Sequence, residues 1–176
     1  MSAAFYDALE TRDPAEREHA LMQALPGQIA HAQQHAPAFA ELLAGVDAGS
    51  VTSREVLARL PVTRKSELLE RQQQQRAINP FGGFSAIGWG AARRVFQSPG
   101  TIYEPEGRAP DYWRVARAMH AAGFAPGELI HNSFSYHLTP AGSMMETGAH
   151  AIGCTVFPGG VGNTELQLQA MAELQP

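Results

Sequence analysis

Three stretches of the chain carry residue types that could handle a ligand. In residues 98–107, Ser98 and Thr101 flank Pro99-Gly100 directly after the apolar run Arg94-Val95-Phe96-Gln97. Hydroxyls and bare backbone N–H groups of this kind can wrap phosphate oxygens, because glycine lets the backbone approach closely and adopt positive φ. Ser98, Gly100 and Thr101 are therefore candidate phosphate contacts. No Gly-Lys-Ser/Thr follows, so this is not a Walker A loop. An ordinary strand-to-helix turn uses the same residues. The second stretch, Ser133-Phe134-Ser135-Tyr136-His137-Leu138-Thr139-Pro140, sets aromatics at a strand end, ahead of a helix with the small residues Ala141, Gly142, Ser143 and Ala149. Aromatics over small residues leave room for a flat apolar ligand; close packing of that helix on a sheet needs the same small residues. The third, Pro158-Gly159-Gly160-Val161-Gly162-Asn163, can approach a ligand or a neighbouring loop, and equally suits a plain turn capped by Asn163 or Thr164.

The other reactive side chains suggest less. His31 and His35 are spaced i, i+4 and share a helix face, but no third ligand of matching context stands nearby, so no metal site is expected. His137 is the one histidine that a ligand could meet, with a hydrogen-bonded structural role as the alternative. No Ser-His-Asp or Cys-His arrangement stands out. The single cysteine, Cys154, excludes an internal disulfide and reads as a small buried residue within the apolar run 152–157.

Behind these stretches stands an alternation of elements that would position them. Residues 1–78 read as a helical N-terminal segment. Asp13-Pro14 is an N-cap followed by proline at the first helical position, and Ala20, Leu21, Ala24, Leu25 and Ile29 return every three or four residues. Pro26-Gly27 predicts a kink there or two shorter helices. Pro37 begins a short helix, Thr52 or Ser53 caps another, and Thr63 opens a fourth in a near capping box with Ser66 and Glu67. The glutamines 72–75 read as a polar helix end without function. Residues 79–176 read as alternating strand and helix: strands at 94–97, 129–132 and 154–157, helices at 110–122, 140–152 and 164–174. The expected fold class is α/β, a helical segment followed by a partial parallel sheet with crossover helices. In such a sheet, ligands bind beyond the carboxyl ends of the strands, where the three stretches lie. Pro176 comes directly after a helix, where this alternation calls for another strand. A sheet left unfinished exposes an edge and invites self-association, so a homodimer is among the expected assemblies.

Composition narrows the function classes. The 176 residues are 44% hydrophobic and 17% charged, as in a folded domain, with a formal net charge of −4. Without clustered Lys and Arg, nucleic acid is not an expected partner. No apolar stretch approaches the roughly 20 residues that span a bilayer, and the N-terminus lacks the basic and apolar regions of a secretory signal. The expected setting is the cytoplasm, away from membranes.

Several ordered segments resemble the phenylacetate-CoA ligase family of adenylate-forming enzymes. Leu60-Pro61-Val62-Thr63-Arg64-Lys65 resembles its Leu-Pro-x-Thr-x-Lys segment, and Asn79-Pro80-Phe81-Gly82 its Pro-Phe-Gly piece. Residues 148–158, Gly-Ala-His-Ala-Ile-Gly-Cys-Thr-Val-Phe-Pro, with Gly160, Asn163, Thr164, Glu165 and Gln167 after them, resemble Gly-Ala-x-x-Leu-Gly-x-Thr-Val-x-Pro…Gly-x-Thr-Glu, the most specific of the matches. The resemblance implies an enzyme that activates a small carboxylic acid with ATP and Mg²⁺ as an acyl adenylate, then passes the acyl group to coenzyme A. It implies that Ser98, Gly100 and Thr101, with Pro105, lie in the loop that embraces the ATP phosphates. Glu104 stands where that loop usually has Lys, a reversed charge that disfavours a triphosphate by roughly a kcal/mol. Phe134, Tyr136, Thr139, Pro140 and Ala141 fall where the family walls its acid pocket. Thr139 replaces a usual aromatic, so the acid need not be phenylacetate. The family's adenine loop, its Tyr-Gly-x-Thr/Ser-Glu motif and its catalytic lysine have no counterpart in these residues. The resemblance thus implies an N-terminal piece, inactive alone, and leaves the catalytic residues unknown. The alternative is a non-catalytic acyl- or nucleotide-binding or interaction module of the same fold. A nucleotide-binding oxidoreductase is disfavoured, since no Gly-x-Gly-x-x-Gly follows the first strand.

Overall fold

Asp13 starts the first long helix by accepting the backbone N–H groups of Ala15 (2.8 Å) and Glu16 (3.2 Å) on Oδ1, two donors that a helix start leaves unpaired. In the computed structural model, which describes residues 5–176, this helix is α1, Pro14–His35. It does not divide at Pro26, as the sequence led us to expect. A proline inside a helix removes one rung of the ladder. Here α1 is held beyond that rung, because Gln33 Nε2 donates to the carbonyls of Leu43 (3.1 Å) and Val46 (2.9 Å).

The chain divides into two units, one of Arg12–Val95 with Gly100–Pro105, the other of Phe96–Pro99 and Glu106–Pro176 with the described residues up to Thr11. The first is helical. After α1 come α2 (Pro37–Leu42), α3 (Arg54–Leu57), whose N-cap Ser53 accepts Val56 N–H on Oγ, and α4 (Lys65–Gln75). Helix α4 starts after Arg64, not at Thr63. Glu67 reaches back to accept the Arg64 N–H at 3.2 Å, so the reciprocal half of the expected capping box is present one residue later. The core of this unit gathers Ala36, Ala38, Leu43, Val51 and Phe81. Gly83 has φ +81, and a Cβ there would lie 3.0 Å from the Ala38 backbone nitrogen, which donates to the Gly83 carbonyl. Only glycine suits that approach.

Strands β1 (Arg94–Ser98) and β2 (Ile102–Glu106) form a two-stranded sheet joined by the turn 99–101. A turn that short joins only antiparallel strands. The stretch 98–107, expected to be loop, is thus mostly strand. The first strand also pairs within this hairpin and does not extend the parallel sheet.

The parallel sheet itself is in the second unit. Strands β3 (Leu129–His131) and β4 (Thr155–Phe157) pair in register Leu129↔Thr155, Ile130↔Val156 and His131↔Phe157. The expected helix 110–122 shrinks to α5 (Ala116–Ala121), because the Asp111 carboxylate captures the N–H groups of Val115 (2.8 Å) and Ala116 (3.2 Å) in a turn. The crossover between β3 and β4 is α6 (Ala141–Ile152), which ends at Gly153 with φ 98. Helices α5 and α6 pack closely over Ala116, Met119, Ala149, Ile152 and Cys154. Gly148 permits this, since a Cβ there would meet Val115 Cγ2 at 2.5 Å. Helix α7 is Thr164–Leu174. No described helix is long and apolar enough to cross a membrane.

Candidate functional site

The hairpin turn is built for backbone exposure. Gly100 has φ 102 and Thr101 φ 65, and a Cβ at Gly100 would meet nothing within 4 Å. Ser98 closes β1, while Ile102, next to Thr101, is buried. Successive N–H groups in a turn are one of the backbone arrangements that can make an anion-binding concavity.

What holds the turn comes from α4. The Gln72 side chain is 2% exposed. Its Nε2 donates to the Tyr103 carbonyl at 2.9 Å, and its Oε1 accepts the Tyr103 N–H at 2.9 Å. One turn later, Arg76 lies over the Tyr103 ring, 5.4 Å from its centroid, with Nη2 3.4 Å from the Thr101 carbonyl. The Pro80-Phe81-Gly82 piece backs this arrangement. A Cβ at Gly82 would lie 3.1 Å from Gln72, and Arg71 Nε donates to the Gly82 carbonyl at 2.8 Å. Sequence reasoning missed both Gln72 and Arg76. The i, i+4 spacing of the two on one helix face was the available signal, hidden in a run of identical polar residues.

The aromatic loop after β3 is organised by Asn132, which is buried. Its Nδ2 donates to Tyr136 Oη (2.7 Å) and to the Gly142 carbonyl (2.9 Å), and its Oδ1 accepts the Phe134 N–H (3.2 Å). Its own N–H reaches the Phe157 carbonyl and its carbonyl accepts the Gly160 N–H, both at 2.9 Å. Asn132 therefore ties the second and third stretches to the ends of β3 and β4. Gly142 cannot be replaced freely, since a Cβ there would lie 2.7 Å from the Ser135 carbonyl oxygen and 2.9 Å from the Tyr136 ring.

The predicted lining residues part company in this loop. Phe134 is half exposed and lines an apolar cavity of about 400 Å³ together with Val115, Met119, Ile130, Met145 and Val156. Tyr136 turns instead toward Asn132 and Gly142. Thr139 follows Leu138, which has φ 61, and donates its N–H to the His137 carbonyl at 2.7 Å; Pro140 and Ala141 begin α6. Thr139, Pro140 and Ala141 do not line that cavity. The His137 N–H donates to Ser135 Oγ at 3.1 Å.

The third stretch is latched by Gln167 of α7. Its Nε2 donates to the Gly160 carbonyl (3.1 Å) and the Gly162 carbonyl, and its Oε1 accepts from His131 Nε2 at 2.8 Å. The acceptor fixes the His131 tautomer, and the ring stacks on Phe157 at 5.2 Å. Asn163 precedes α7 without a side-chain cap. Among charged groups, Glu106 is fully buried and accepts the Ser143 hydroxyl at 3.0 Å. Burial pushes the Cys154 thiol above its ordinary range, with Glu128 adding to the effect, and Sγ lies 3.1 Å from the Ala125 carbonyl. The His31 and His35 rings lie 4.5 Å apart, but among the described residues no group of three or more His, Cys, Asp or Glu could hold a metal ion.

No family model matches the chain, but curated relatives do. A phenylacetate-coenzyme A ligase of Thermus thermophilus is 33% identical over 173 residues, covering 93% of this chain and 37% of that protein. Phenylacetate-coenzyme A ligases of Pseudomonas putida and Escherichia coli are 32% and 30% identical, over 98% and 97% of the chain. Along most of its length the chain is similar to one part of phenylacetate-CoA ligases. It spans about two fifths of the length of these ligases, 40% in the Pseudomonas putida protein. Its fold agrees with a solved ligase as well. A 2-hydroxyisobutyryl-CoA ligase, in an open conformation with 2-HIB-AMP and CoA, superposes with a TM-score of 0.82 at 27% identity, over 94% of this chain and 40% of that one. The same ligase in its postadenylation state gives 0.80 at 26% identity, over 93% and 36%.

Proposed function

We propose that the protein carrying this chain is an AMP-forming acid–CoA ligase. In the reaction, a carboxylate oxygen bonds to the α-phosphorus of ATP and pyrophosphate leaves. The coenzyme A sulfur then bonds to the acyl carbon and AMP leaves. One observation carries this reading: the match to phenylacetate-coenzyme A ligases runs along 88–98% of the chain, at 30–33% identity. The complexes of the 2-hydroxyisobutyryl-CoA ligase with an acyl adenylate and CoA point to the same cofactors, ATP and coenzyme A.

Within this reading, Ser98, Gly100 and Thr101 bind nucleotide phosphate. The positive φ of Gly100 and Thr101 and the open space beside Gly100 support the role, because a turn of this kind can present backbone N–H groups to an anion. Phe134, Tyr136, Thr139, Pro140 and Ala141 form the acid-binding loop, with Asn132 setting its shape. The acid is a small carboxylic acid, aryl or aliphatic. Mg²⁺ belongs to the proposed reaction, but the described residues offer no cluster of His, Cys, Asp and Glu that fits it. The chain's own contribution is to bind and orient; the 176 residues alone are expected not to turn over. We further propose a cytoplasmic protein, able to form a homodimer, with a helical segment (residues 1–78) serving the α/β part (79–176).

The test is product analysis. The protein at its full natural length, given ATP, Mg²⁺, coenzyme A and either phenylacetate or 2-hydroxyisobutyrate, should release AMP and form the acyl-CoA, detected by mass. Acid binding without AMP release, across a panel of aryl and short aliphatic acids, would instead favour a non-catalytic binding module. Glu104, an acid beside the phosphate turn, is the observation that keeps that second reading in view.

A further inference from the structure

We propose that Arg76 is the cation that meets the nucleotide phosphates at the turn 99–101, an inference that rests on reading this turn as the phosphate loop. Residues 98–107 contain Glu104 and Glu106 and neither Lys nor Arg. A triphosphate docking on backbone N–H groups and hydroxyls alone would carry several negative charges past an acidic strand, and such binding is weak without a compensating cation. The helical unit supplies one from outside the loop. Arg76 follows the last turn of α4, with its guanidinium 3.4 Å from the Thr101 carbonyl. The Tyr103 ring beneath it, 5.4 Å from ring centroid to guanidinium carbon, orients the group. Tyr103 is itself fixed by Gln72, so the charge is held at the turn from two sides.

This guanidinium also remains uncompensated. Arg54 pairs with Glu18, and Arg71 with Glu41. Among the described residues no carboxylate lies within salt-bridge reach of Arg76. It is exposed, so an anion can approach it. A planar fork with five donors can keep one N–H on the Thr101 carbonyl and present others to phosphate oxygens. The charge that Glu104 reverses within the loop is thus restored from the helix that braces it.

Equilibrium ATP binding to the full-length protein, at two salt concentrations, tests this. Arg76→Gln should raise the ATP Kd about tenfold and flatten its salt dependence, while Arg76→Lys should stay within about threefold of wild type. Adding Glu104→Lys to Arg76→Gln should restore binding, because the role is charge. Thermal unfolding of each variant separates loss of fold from loss of charge. If Ser98→Ala or Thr101→Val weakens ATP while Arg76→Gln changes neither Kd nor salt slope, Arg76 is not the cation, although the loop reading stands. If Arg76→Gln weakens ATP and Glu104→Lys does not restore it, Arg76 acts only by holding the Thr101 carbonyl, and the inference fails. If ATP binds and neither the loop variants nor Arg76→Gln alters its affinity, the phosphate-loop reading fails with it.

Discussion

The carboxamide of Gln72 in α4 pairs with both backbone groups of Tyr103 in β2, donating to its carbonyl and accepting its N–H at 2.9 Å each. The two residues are far apart in sequence, yet the side chain extends β2 as a neighbouring strand would. It also fills the space that the absent side chain of Gly82 leaves open. The shape of the turn 99–101 therefore depends on a helix in the N-terminal segment.

Removing that amide takes the partner from two half-buried backbone groups of Tyr103. Gln72→Leu should destabilise the helical unit by about 1–3 kcal/mol, from two lost hydrogen bonds worth about 0.5–1.5 kcal/mol each. Denaturant unfolding would measure it. Gln72→Glu keeps the acceptor for the Tyr103 N–H but turns a charge on the carbonyl, so its loss should shrink as the pH is lowered and the carboxyl protonates.

Asn132 is the corresponding hub of the second unit. Asn132→Ala removes the side-chain bonds to Tyr136, Gly142 and Phe134 and should cost about 2–3 kcal/mol. Because Asn132 also reaches Gly160 through its backbone, amide exchange should quicken at Phe134 more than at Gly160.

Much of this was legible in the sequence and some was not, for identifiable reasons. Asp13-Pro14 announced α1, Gly153 ended α6, and the apolar runs gave β3 and β4, because local capping and propensity agreed with the tertiary structure there. Strand β2 stayed hidden because Glu and Pro, in Tyr103-Glu104-Pro105-Glu106, are depleted in strands; its pairing is imposed by the hairpin and by Gln72. The start of α5 was displaced by Asp111, whose carboxylate offered the backbone a turn in place of a helix. At the candidate sites, the residue types in the loops were readable. The amides that shape those loops, the buried Gln72 and Asn132 and the half-buried Gln167, were not, because an amide looks the same in sequence whether it faces water or a distant backbone.

The contact of α5 with α6 sets a steric limit. Gly148→Ala places a methyl 2.5 Å from Val115 Cγ2 and should destabilise by about 1–3 kcal/mol. Val115→Ala on that background should recover part of the loss, which a double-mutant cycle of melting free energies would show.

Cys154 gives a pH dependence of defined sign. Its folded thiol holds its proton more tightly than the unfolded one, so the stability it contributes is intact below the ordinary thiol pKa and is lost as pH rises through the raised one. Wild type should lose stability faster than Cys154→Ala above about pH 8.5, with no difference in slope between about pH 6 and 8. A thiol-reactive disulfide reagent should modify the native protein slowly and the unfolded protein at once.

The central claim is that the turn braced by Gln72 serves acid activation by ATP. Acid-dependent exchange of labelled pyrophosphate into ATP by the full-length protein measures that half-reaction without coenzyme A. The account predicts exchange that requires a carboxylic acid, falls at least about tenfold in Thr101→Val, and falls likewise in Gln72→Leu assayed below its melting temperature. Exchange that needs the acid but is unaffected by both substitutions would contradict the assignment of the turn. No exchange with any acid would contradict the ligase reading itself.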